Sequence, residues 1–354
     1  MAARIYLDHA STTPILPEAA AAIAEGCADW ANPSSAHAEG RAARAALEAA
    51  RTRIAAALGW SHSLVFTSGA TEGIDIVLER AVAGPRIVSA IEHAAVLRGA
   101  PDGRRIAVKP DGTLDLADLD AALAEAGRPL VAVQAVNNET GVIHPIAEIA
   151  ERVKAVGGLL LVDCAQSAGK LPLPDADFIV AAAHKLGGPP GVGVLLVRDP
   201  ATLAAVGGQE GGYRPGTVPV PLVLGFAAAL EADHGWYSGA EGLRATLDHA
   251  IEETGGEVIA AAAPRIATIA AYRMPGVPAA AQMMQMDLAG IAVSAGSACS
   301  SGSLKTSHVL TAMGMAEEAA REVIRVSFGP TTVEADIDAL LAEWRQLHAR
   351  RHAA

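Results

Sequence analysis

The chain is 354 residues long, with 51% hydrophobic residues and a formal charge of −12 from 39 acidic and 27 basic residues. This length favours two domains with a sizeable core and excludes a small disulfide-stapled scaffold. Aromatic residues are only 3% of the chain and no basic stripe occurs, so we expect no nucleic-acid-binding surface. Three cysteines fit a reducing compartment, and residues 1–8 lack the apolar core of a signal peptide. Since no apolar stretch of about 20 residues is uninterrupted, we expect no membrane span and a cytoplasmic globular protein.

In chain order, short apolar runs alternate with alanine-rich amphipathic stretches. Two helices are predicted first, over 17–30 and 36–58. Strands are predicted over 64–67, 86–90, 106–108, 130–136, 159–163, 178–182 and 192–197. Helices are predicted between several of them, over 70–82, 116–125 and 146–156. Apolar strands separated by helices are typical of an α/β fold with a mostly parallel sheet covered on both faces.

The pattern changes after a further helix predicted over 217–233. Beyond the glycine-containing stretch at 235–239, the order is helix, strands, helix, strand and a last helix over 334–350. This order indicates an α+β unit. We therefore expect a large domain over 14–237, a small C-terminal domain over 238–354, and an N-terminal segment 1–13 that joins them.

Two charged residues follow predicted buried strands. Lys185 lies in the segment 181–191, which reads AAAHKLGGPPG. Burial would lower the pKa of its amine and favour the neutral nucleophile, whereas a solvated loop lysine is the alternative. Asp163 ends the strand 159–163, where a carboxylate needs a cationic partner or serves as a cap. A protonated ring nitrogen, as in pyridoxal phosphate, would be such a partner.

Two further segments suit a phosphate and a planar ring. The segment 67–73, TSGATEG, predicts a strand, a small-residue turn and a helix. A helix N-terminus of this kind binds anions, although any capped helix after a strand looks similar. His93 follows the strand 86–90, where it has either a structural role or stacks on a cofactor and moves protons.

The segment 294–303, SAGSACSSGS, has almost no side chains that could anchor it in a core. Its Cys299 is therefore expected on an exposed loop, as a travelling nucleophile would be. Cys27 and Cys164 lie in helix and strand patterns and are expected to be buried and inert. Arg325 interrupts an apolar strand pattern, where a guanidinium fork for a carboxylate is a natural use.

Taken together and in this order, these segments resemble the cysteine desulfurases, pyridoxal-phosphate enzymes of the class-V aminotransferase group. The resemblance runs from 6–14, YLDHASTTP, to 324–338 and covers nearly the whole chain. Further matching motifs are NPSSAH at 32–37, NNETG at 137–141 and RPGT at 214–217. The resemblance implies the type I fold of pyridoxal-phosphate transferases, with a seven-stranded sheet in the large domain.

The resemblance also implies roles for single residues. Lys185 would be the Schiff-base lysine, Asp163 would pair with the pyridinium nitrogen, and His93 would stack on the ring as a candidate proton relay. Further cofactor contacts are implied at the ring oxygens and the phosphate, by Asn138, Gln166, Ala70, Thr71 and His184. No metal site is implied.

The implied reaction removes sulfur from L-cysteine and yields L-alanine and a persulfide on Cys299. Arg325 would bind the substrate carboxylate with help from Asn32. Thr217 matches a threonine that reaches the phosphate of the neighbouring subunit, which implies a homodimer. The loop 294–314 resembles the longer-loop subgroup, whose members pass sulfur to acceptor proteins such as iron–sulfur scaffolds.

The sequence departs from the family pattern in three places. Ala182 stands where a serine is usual, which removes a hydroxyl donor to the phosphate, and Pro330 stands where arginine is common. Many relatives carry a further tail that docks the iron–sulfur scaffold, whereas this chain ends soon after its last helix, so the resemblance leaves docking to that standard scaffold open. Alternatives are an aminotransferase or carbon–sulfur lyase, a selenocysteine lyase, or a non-catalytic interaction protein. Intact Lys185, Asp163 and Cys299 favour the desulfurase.

Overall fold

A computed structural model of the chain describes residues 4–296 and 306–352, with side chains as far as Arg350. Its strands are β1 (Ile5–Tyr6), β2 (Ser63–Thr67), β3 (Arg86–Ser89), β4 (Arg104–Ile106), β5 (Leu130–Gln134), β6 (Leu159–Asp163), β7 (Phe178–Ala182), β8 (Gly193–Val197), β9 (Glu257–Val258), β10 (Ile269–Arg273), β11 (Ile291–Ala292) and β12 (Val323–Ser327). Its helices are α1 (Pro17–Ala28), α2 (Ala38–Leu58), α3 (Ala70–Arg80), α4 (Ala94–Gly99), α5 (Leu116–Glu125), α6 (Ile146–Ala155), α7 (Val220–Glu231), α8 (Tyr237–Glu253), α9 (Ala279–Leu288), α10 (His308–Ala312), α11 (Glu317–Ala320) and α12 (Glu334–His352).

The seven predicted strands form one sheet in the order β2-β8-β7-β6-β5-β3-β4. Within this sheet, β8 runs in the direction opposite to the other six strands, which are parallel to one another. The predicted α/β fold with a mostly parallel sheet is therefore confirmed. Every residue of β5, β7 and β8 is buried, because α2, α5, α6 and α7 cover one face of the sheet while α3 and α4 cover the other.

The parallel arrangement decides where a site can form. Strands β2, β3, β5, β6 and β7 point the same way, so their carboxyl ends meet at one edge of the sheet. Ligands of open α/β sheets bind in the crevice outside such an edge. The segment 67–73 and the residues Asp163 and Lys185, which the sequence pattern singled out, all lie at this edge.

A second core lies in the C-terminal part of the chain. The antiparallel sheet β12-β10-β9 packs with α8, α9 and α12 around Tyr272 and Trp344, which are fully buried. Leu7 is buried in the same core, and β1 pairs with β11. These contacts support the predicted division near residue 237 and the joining role of the N-terminal segment. The division itself stays a prediction.

Several sequence predictions need correction. The helix predicted over 217–233 begins only at Val220, because Pro219 precedes it. Helix α4 was not predicted, since six residues are too few for a periodic pattern. Cys27 is exposed on α1 rather than buried, whereas Cys164 is buried as predicted and burial raises the pKa of its thiol to about 12. Within the described ranges no helix is both long and apolar enough to cross a membrane.

Gly193 permits the close approach of two segments at the edge that bears the site. A Cβ atom there would lie 2.5 Å from the Ala181 carbonyl oxygen and 2.8 Å from the Gly69 Cα. We expect Gly193→Ala to cost about 1–3 kcal/mol, because backbone on both sides must shift. Gly242→Ala is the control, since a Cβ on this helical residue meets nothing within 4 Å and alanine there gains about 0.5–1 kcal/mol. Thermal unfolding should give a lower Tm for the first variant only, and equal values would contradict this packing.

Candidate active site

A cavity of about 650 Å³ opens at the carboxyl edge of the large sheet. Its walls come from the strand ends of the large sheet, from residues 10–11, and from three residues of the C-terminal part, Gly296, His308 and Arg325. Both cores of the chain therefore contribute to one cavity. Most of the residues predicted for the site line it, namely Ala70, Thr71, His93, Asn138, Asp163, Gln166, His184, Lys185 and Arg325.

Lys185 ends a short 3₁₀ turn, Ala183–Lys185, that follows β7 directly. Its Nζ atom donates hydrogen bonds to the carbonyl oxygens of Ala10, at 2.5 Å, and Ser11, at 2.8 Å. The amine therefore lies in the cavity against the N-terminal segment. This position contradicts the alternative of a solvated loop lysine.

Asp163 is the last residue of β6, and its carboxylate faces the same cavity. The Oδ1 atom accepts a hydrogen bond from the Ala165 amide at 2.8 Å. Burial raises the pKa of Asp163 above its usual value, although the Ala165 amide and the nearby basic side chains of His93 and Lys185 act in the opposite direction. A carboxylate in this position is stabilised by a cation that enters the cavity.

The start of α3 provides donors for an anion. Gly69 precedes the helix with φ 156° and ψ 178°, a conformation that favours glycine. Because the N-cap residue is glycine, it has no side chain to cap the helix. The first amides of α3, at Ala70 and Thr71, therefore lie at the positive end of an 11-residue helix. This geometry supports the predicted phosphate position.

Two histidines, His93 and His184, line the cavity, and the surroundings of each ring indicate its protonation. His93 caps α4, and its Nδ1 atom accepts a hydrogen bond from the Ala95 amide at 3.2 Å. The neutral ring therefore carries its proton on Nε2. Burial, reinforced by the nearby Lys185 amine, lowers the pKa of His184 to about 4. His184 is consequently neutral at pH 7 and can contact an anion only through a hydrogen bond.

Arg325 reaches the cavity from β12 in the second core. Its side chain is 5% exposed and forms an ion pair with Asp8 at 2.8 Å. It also donates hydrogen bonds to the Ser11 hydroxyl at 2.6 Å and to the Asn138 carbonyl at 2.9 Å. Such a buried and fixed guanidinium suits a carboxylate ligand.

Two predicted site residues, Asn32 and Thr217, are not brought to the cavity of this chain. Asn32 and Thr217 are exposed and lie outside its lining, and Pro330 does not line it. Cys299 lies outside the described residues. The roles of Asn32, Thr217 and Cys299 therefore stay predictions.

The structure also adds residues that the sequence interpretation missed. Asp8 and Ser11 contact Arg325, while Glu139 and His308 line the cavity. The buried Glu139 carboxylate accepts a hydrogen bond from Ser307, and His308 Nε2 donates to the Glu92 carbonyl oxygen at 3.0 Å. The motifs at 6–14 and 137–141 contained three of these residues, but nothing in the sequence pattern indicates which distant side chains they meet.

Comparison with known proteins decides the family. The family model described as aminotransferase class-V matches residues 5–340. The chain belongs to this family. It is 38% identical to an IscS-like cysteine desulfurase of Mycobacterium tuberculosis, over 95% of this chain and 94% of that protein. It is 36% identical to the cysteine desulfurase IscS of an Anaeromyxobacter species, over 94% of this chain and 90% of that protein.

The fold comparison agrees with the family. A solved NifS-like protein from Rickettsia africae superposes with a TM-score of 0.91 at 31% identity, over 98% of this chain and 99% of that one. The chain is thus a NifS-like cysteine desulfurase, and as a class-V aminotransferase family member it depends on pyridoxal phosphate.

The residues of the desulfurase cavity fit this cofactor. The Gln166 side chain is 5% exposed, and its Oε1 atom has no hydrogen-bond partner within the described ranges. Its amide group donates to the Ala10 carbonyl at 2.9 Å, which orients the unpaired oxygen. A buried acceptor without a partner is costly, so a donor group of a ligand is expected there. Asp163 for a protonated ring nitrogen and the start of α3 for a phosphate complete the match.

Ala182 lines the cavity where a serine would add a hydroxyl donor. We expect Ala182→Ser to bind pyridoxal phosphate about tenfold more tightly, because a hydrogen bond to a charged group contributes roughly 1.5–3 kcal/mol. Equilibrium dialysis of the cofactor from both proteins measures this ratio. Ala182→Cys is the control, because cysteine has a shape similar to serine but is a much weaker donor. Equal affinities of Ala182→Ser and of the wild-type protein would place the phosphate elsewhere.

Proposed function

We propose that this cavity carries the cysteine desulfurase reaction, with Lys185, His93 and Cys299 as catalytic residues. The supporting observation is that the Lys185 amine, the Asp163 carboxylate and the Arg325 guanidinium line one cavity. These groups are the base, the ring-nitrogen partner and the carboxylate receptor that the reaction requires. Asp163 and Lys185 lie at the ends of strands in the first core, whereas Arg325 lies on a strand of the second core. The packing of either core alone does not explain why these three groups meet in one cavity.

The cofactor contacts follow from the same geometry. Asp163 would hold the ring nitrogen protonated, and the ring oxygen substituents would meet Gln166 and Asn138. The phosphate would be bound by the first amides of α3, at Ala70 and Thr71, and by His184. When bound, pyridoxal phosphate supplies an electron sink for the pair left on the substrate Cα atom.

The protein's own groups handle the substrate and the protons. Arg325 binds the carboxylate of L-cysteine and orients the Cα–H bond. The amine of Lys185 takes the Cα proton. His93, with the proton of its neutral ring on Nε2, is positioned as a donor and relay within the cavity.

Sulfur transfer then requires a thiolate from the chain. The Cys299 sulfur attacks the substrate sulfur, the substrate Cβ–S bond breaks, and its electron pair leaves with carbon. A proton is added at Cβ and the proton held by Lys185 returns to Cα, so L-cysteine and a thiol become L-alanine and a persulfide. Gly296 lines the cavity, and three residues of chain span at most about 11 Å, which supports a thiol within reach.

We expect Cys299→Ala to keep the visible absorption of the bound cofactor and to lose sulfide release from L-cysteine, because only the acceptor thiol is removed. After one turnover, the wild-type peptide that holds Cys299 should gain one sulfur atom, about 32 Da by mass spectrometry. Cys27→Ala is the control, since that exposed thiol lies on α1. Full activity in Cys299→Ala would rule out the covalent step.

We propose that the enzyme acts as a homodimer with shared sites. Thr217 and Asn32 are exposed and outside the cavity of their own chain, as a residue that acts on a neighbouring subunit would be. Trp30, two residues before Asn32, is 80% exposed, which suits a surface that a second copy covers. In this arrangement Thr217 contacts the phosphate in the partner's cavity, and Asn32 assists substrate binding.

Mixed dimers test this sharing of sites. Lys185→Ala and Thr217→Ala inactivate or weaken each homodimer, but a mixed dimer contains one cavity with both native residues if Thr217 acts across the interface. Each mixed dimer should therefore have about half of the wild-type activity, and refolding of equal amounts, which makes half of the dimers mixed, should restore about a quarter in the whole preparation. If Thr217 acts within its own chain, the mixture should show no more than the sum of its parents.

We propose L-cysteine as the substrate and an acceptor protein as the destination of the persulfide sulfur, with an iron–sulfur cluster scaffold as the first candidate. A relative named IscS supports this direction of transfer. The cytoplasmic location stays a prediction.

A further inference from the structure

A short N-terminal turn, formed by residues 8–11, lies between the two cores. The Ser11 amide donates to the Asp8 carbonyl at 3.0 Å, which closes the turn. The Ala10 amide donates to the Ser327 hydroxyl on β12 at 2.9 Å, so the turn is fixed to the second core. The four residues of this turn therefore stand between the second core and the cavity, and their polar groups contact cavity residues.

The side chains of this turn hold the Arg325 guanidinium. Both NH2 hydrogens of Arg325 are engaged, one by Asp8 at 2.8 Å and one by the Ser11 hydroxyl at 2.6 Å. The Ser11 hydroxyl in turn donates to Asp8 Oδ1 at 2.9 Å. The Ser11 hydroxyl thus accepts a hydrogen bond from Arg325 and donates one to Asp8. A planar guanidinium with these partners has one orientation in the cavity.

The backbone of the same turn holds the lysine amine. The carbonyl oxygens of Ala10 and Ser11 both accept hydrogen bonds from Lys185 Nζ. Ser11 therefore contacts the arginine through its hydroxyl and the lysine through its carbonyl group. The two functional groups come from different cores, and this residue links them directly.

We propose that Ser11 is a positioning residue that holds Arg325 in the orientation for the substrate carboxylate. This inference rests on the proposed function, which assigns Arg325 to that carboxylate. Asp8 balances the buried arginine charge, and Ser11 fixes which edge of the guanidinium faces the cavity. The carbonyl of Ser11 gives the Lys185 amine a defined place beside the substrate whenever that amine is not bonded to the cofactor.

Ser11→Ala separates these two contacts, because it removes the hydroxyl and keeps the carbonyl that accepts from Lys185. We expect the KM for L-cysteine to rise about tenfold while kcat stays within about twofold, since a hydrogen bond to a charged group contributes roughly 1.5–3 kcal/mol. Ser11→Thr restores the hydroxyl and should return KM toward the wild-type value. A merely structural defect would raise KM but would also lower kcat and the melting temperature.

Equilibrium binding supplies a readout that does not depend on turnover. L-alanine and ethylamine differ by the carboxylate, and both can be titrated against the holoenzyme through the visible spectrum of its cofactor. Ser11→Ala should weaken L-alanine about tenfold and leave ethylamine unchanged. Unchanged L-alanine binding, or an equal loss for both ligands, overturns the role of Ser11.

An Arg325→Ala background distinguishes this inference from the proposed function. If Ser11 acts through Arg325, adding Ser11→Ala to Arg325→Ala should cause no further loss of L-alanine binding. A full additional loss overturns the inference while Arg325 keeps its assignment. Wild-type L-alanine binding in Arg325→Ala alone would instead overturn the assignment of Arg325, and with it the part of the proposed function on which Ser11 depends.

Discussion

The buried carboxylate of Asp163 is the constraint around which the site is arranged. It ends a strand whose other residues are fully enclosed, and burial raises its pKa against the influence of the Ala165 amide and of two neighbouring basic groups. A charge in such surroundings is costly unless a cation lies close to it. The Lys185 amine lies near enough to lower the pKa of Asp163, and it also donates hydrogen bonds to two carbonyl oxygens of the N-terminal segment. In the proposed function, the protonated ring of pyridoxal phosphate would supply a further cation beside this carboxylate.

The N-terminal segment explains how one site can depend on two cores. Leu7 is buried among residues of the second core, whereas three residues later the Ala10 carbonyl lies in the cavity of the first. A separation of the two cores could carry Arg325 away from Lys185 only if the hydrogen bonds of residues 8–11 broke. The relative position of the carboxylate receptor and the lysine amine is thus maintained by short polar contacts, which are directional. An apolar interface alone would tolerate sliding of the two cores.

The sequence predicts the large sheet well, because its strands are continuous apolar runs bounded by glycine, proline and polar residues. The site residues of β6 and β7 were predictable for the same reason, since Asp163 and Lys185 stand directly after such runs. The ion pair between Asp8 and Arg325 was not predictable, because 317 residues separate its members and only the folded chain brings them together. Cys27 shows a second limit: an alanine-rich helix such as α1 has too weak a periodicity to tell its buried face from its exposed one. The roles of Asn32 and Thr217 stay predictions, because both residues are exposed and lie outside the cavity of their own chain.

The backbone of Arg325 also determines where the sulfur-accepting segment starts. Its amide and carbonyl exchange hydrogen bonds with Ser294, at 2.7 and 3.1 Å. Two residues further on, Gly296 lines the cavity. On the far side of the segment, Ser307 and His308 are bonded to Glu139 and to the Glu92 carbonyl in the first core. The residue proposed to hold the substrate carboxylate and the chain that leads to Cys299 therefore share one pair of hydrogen bonds. A substrate held at the guanidinium would therefore lie at a defined distance from Gly296, where the described part of that segment ends.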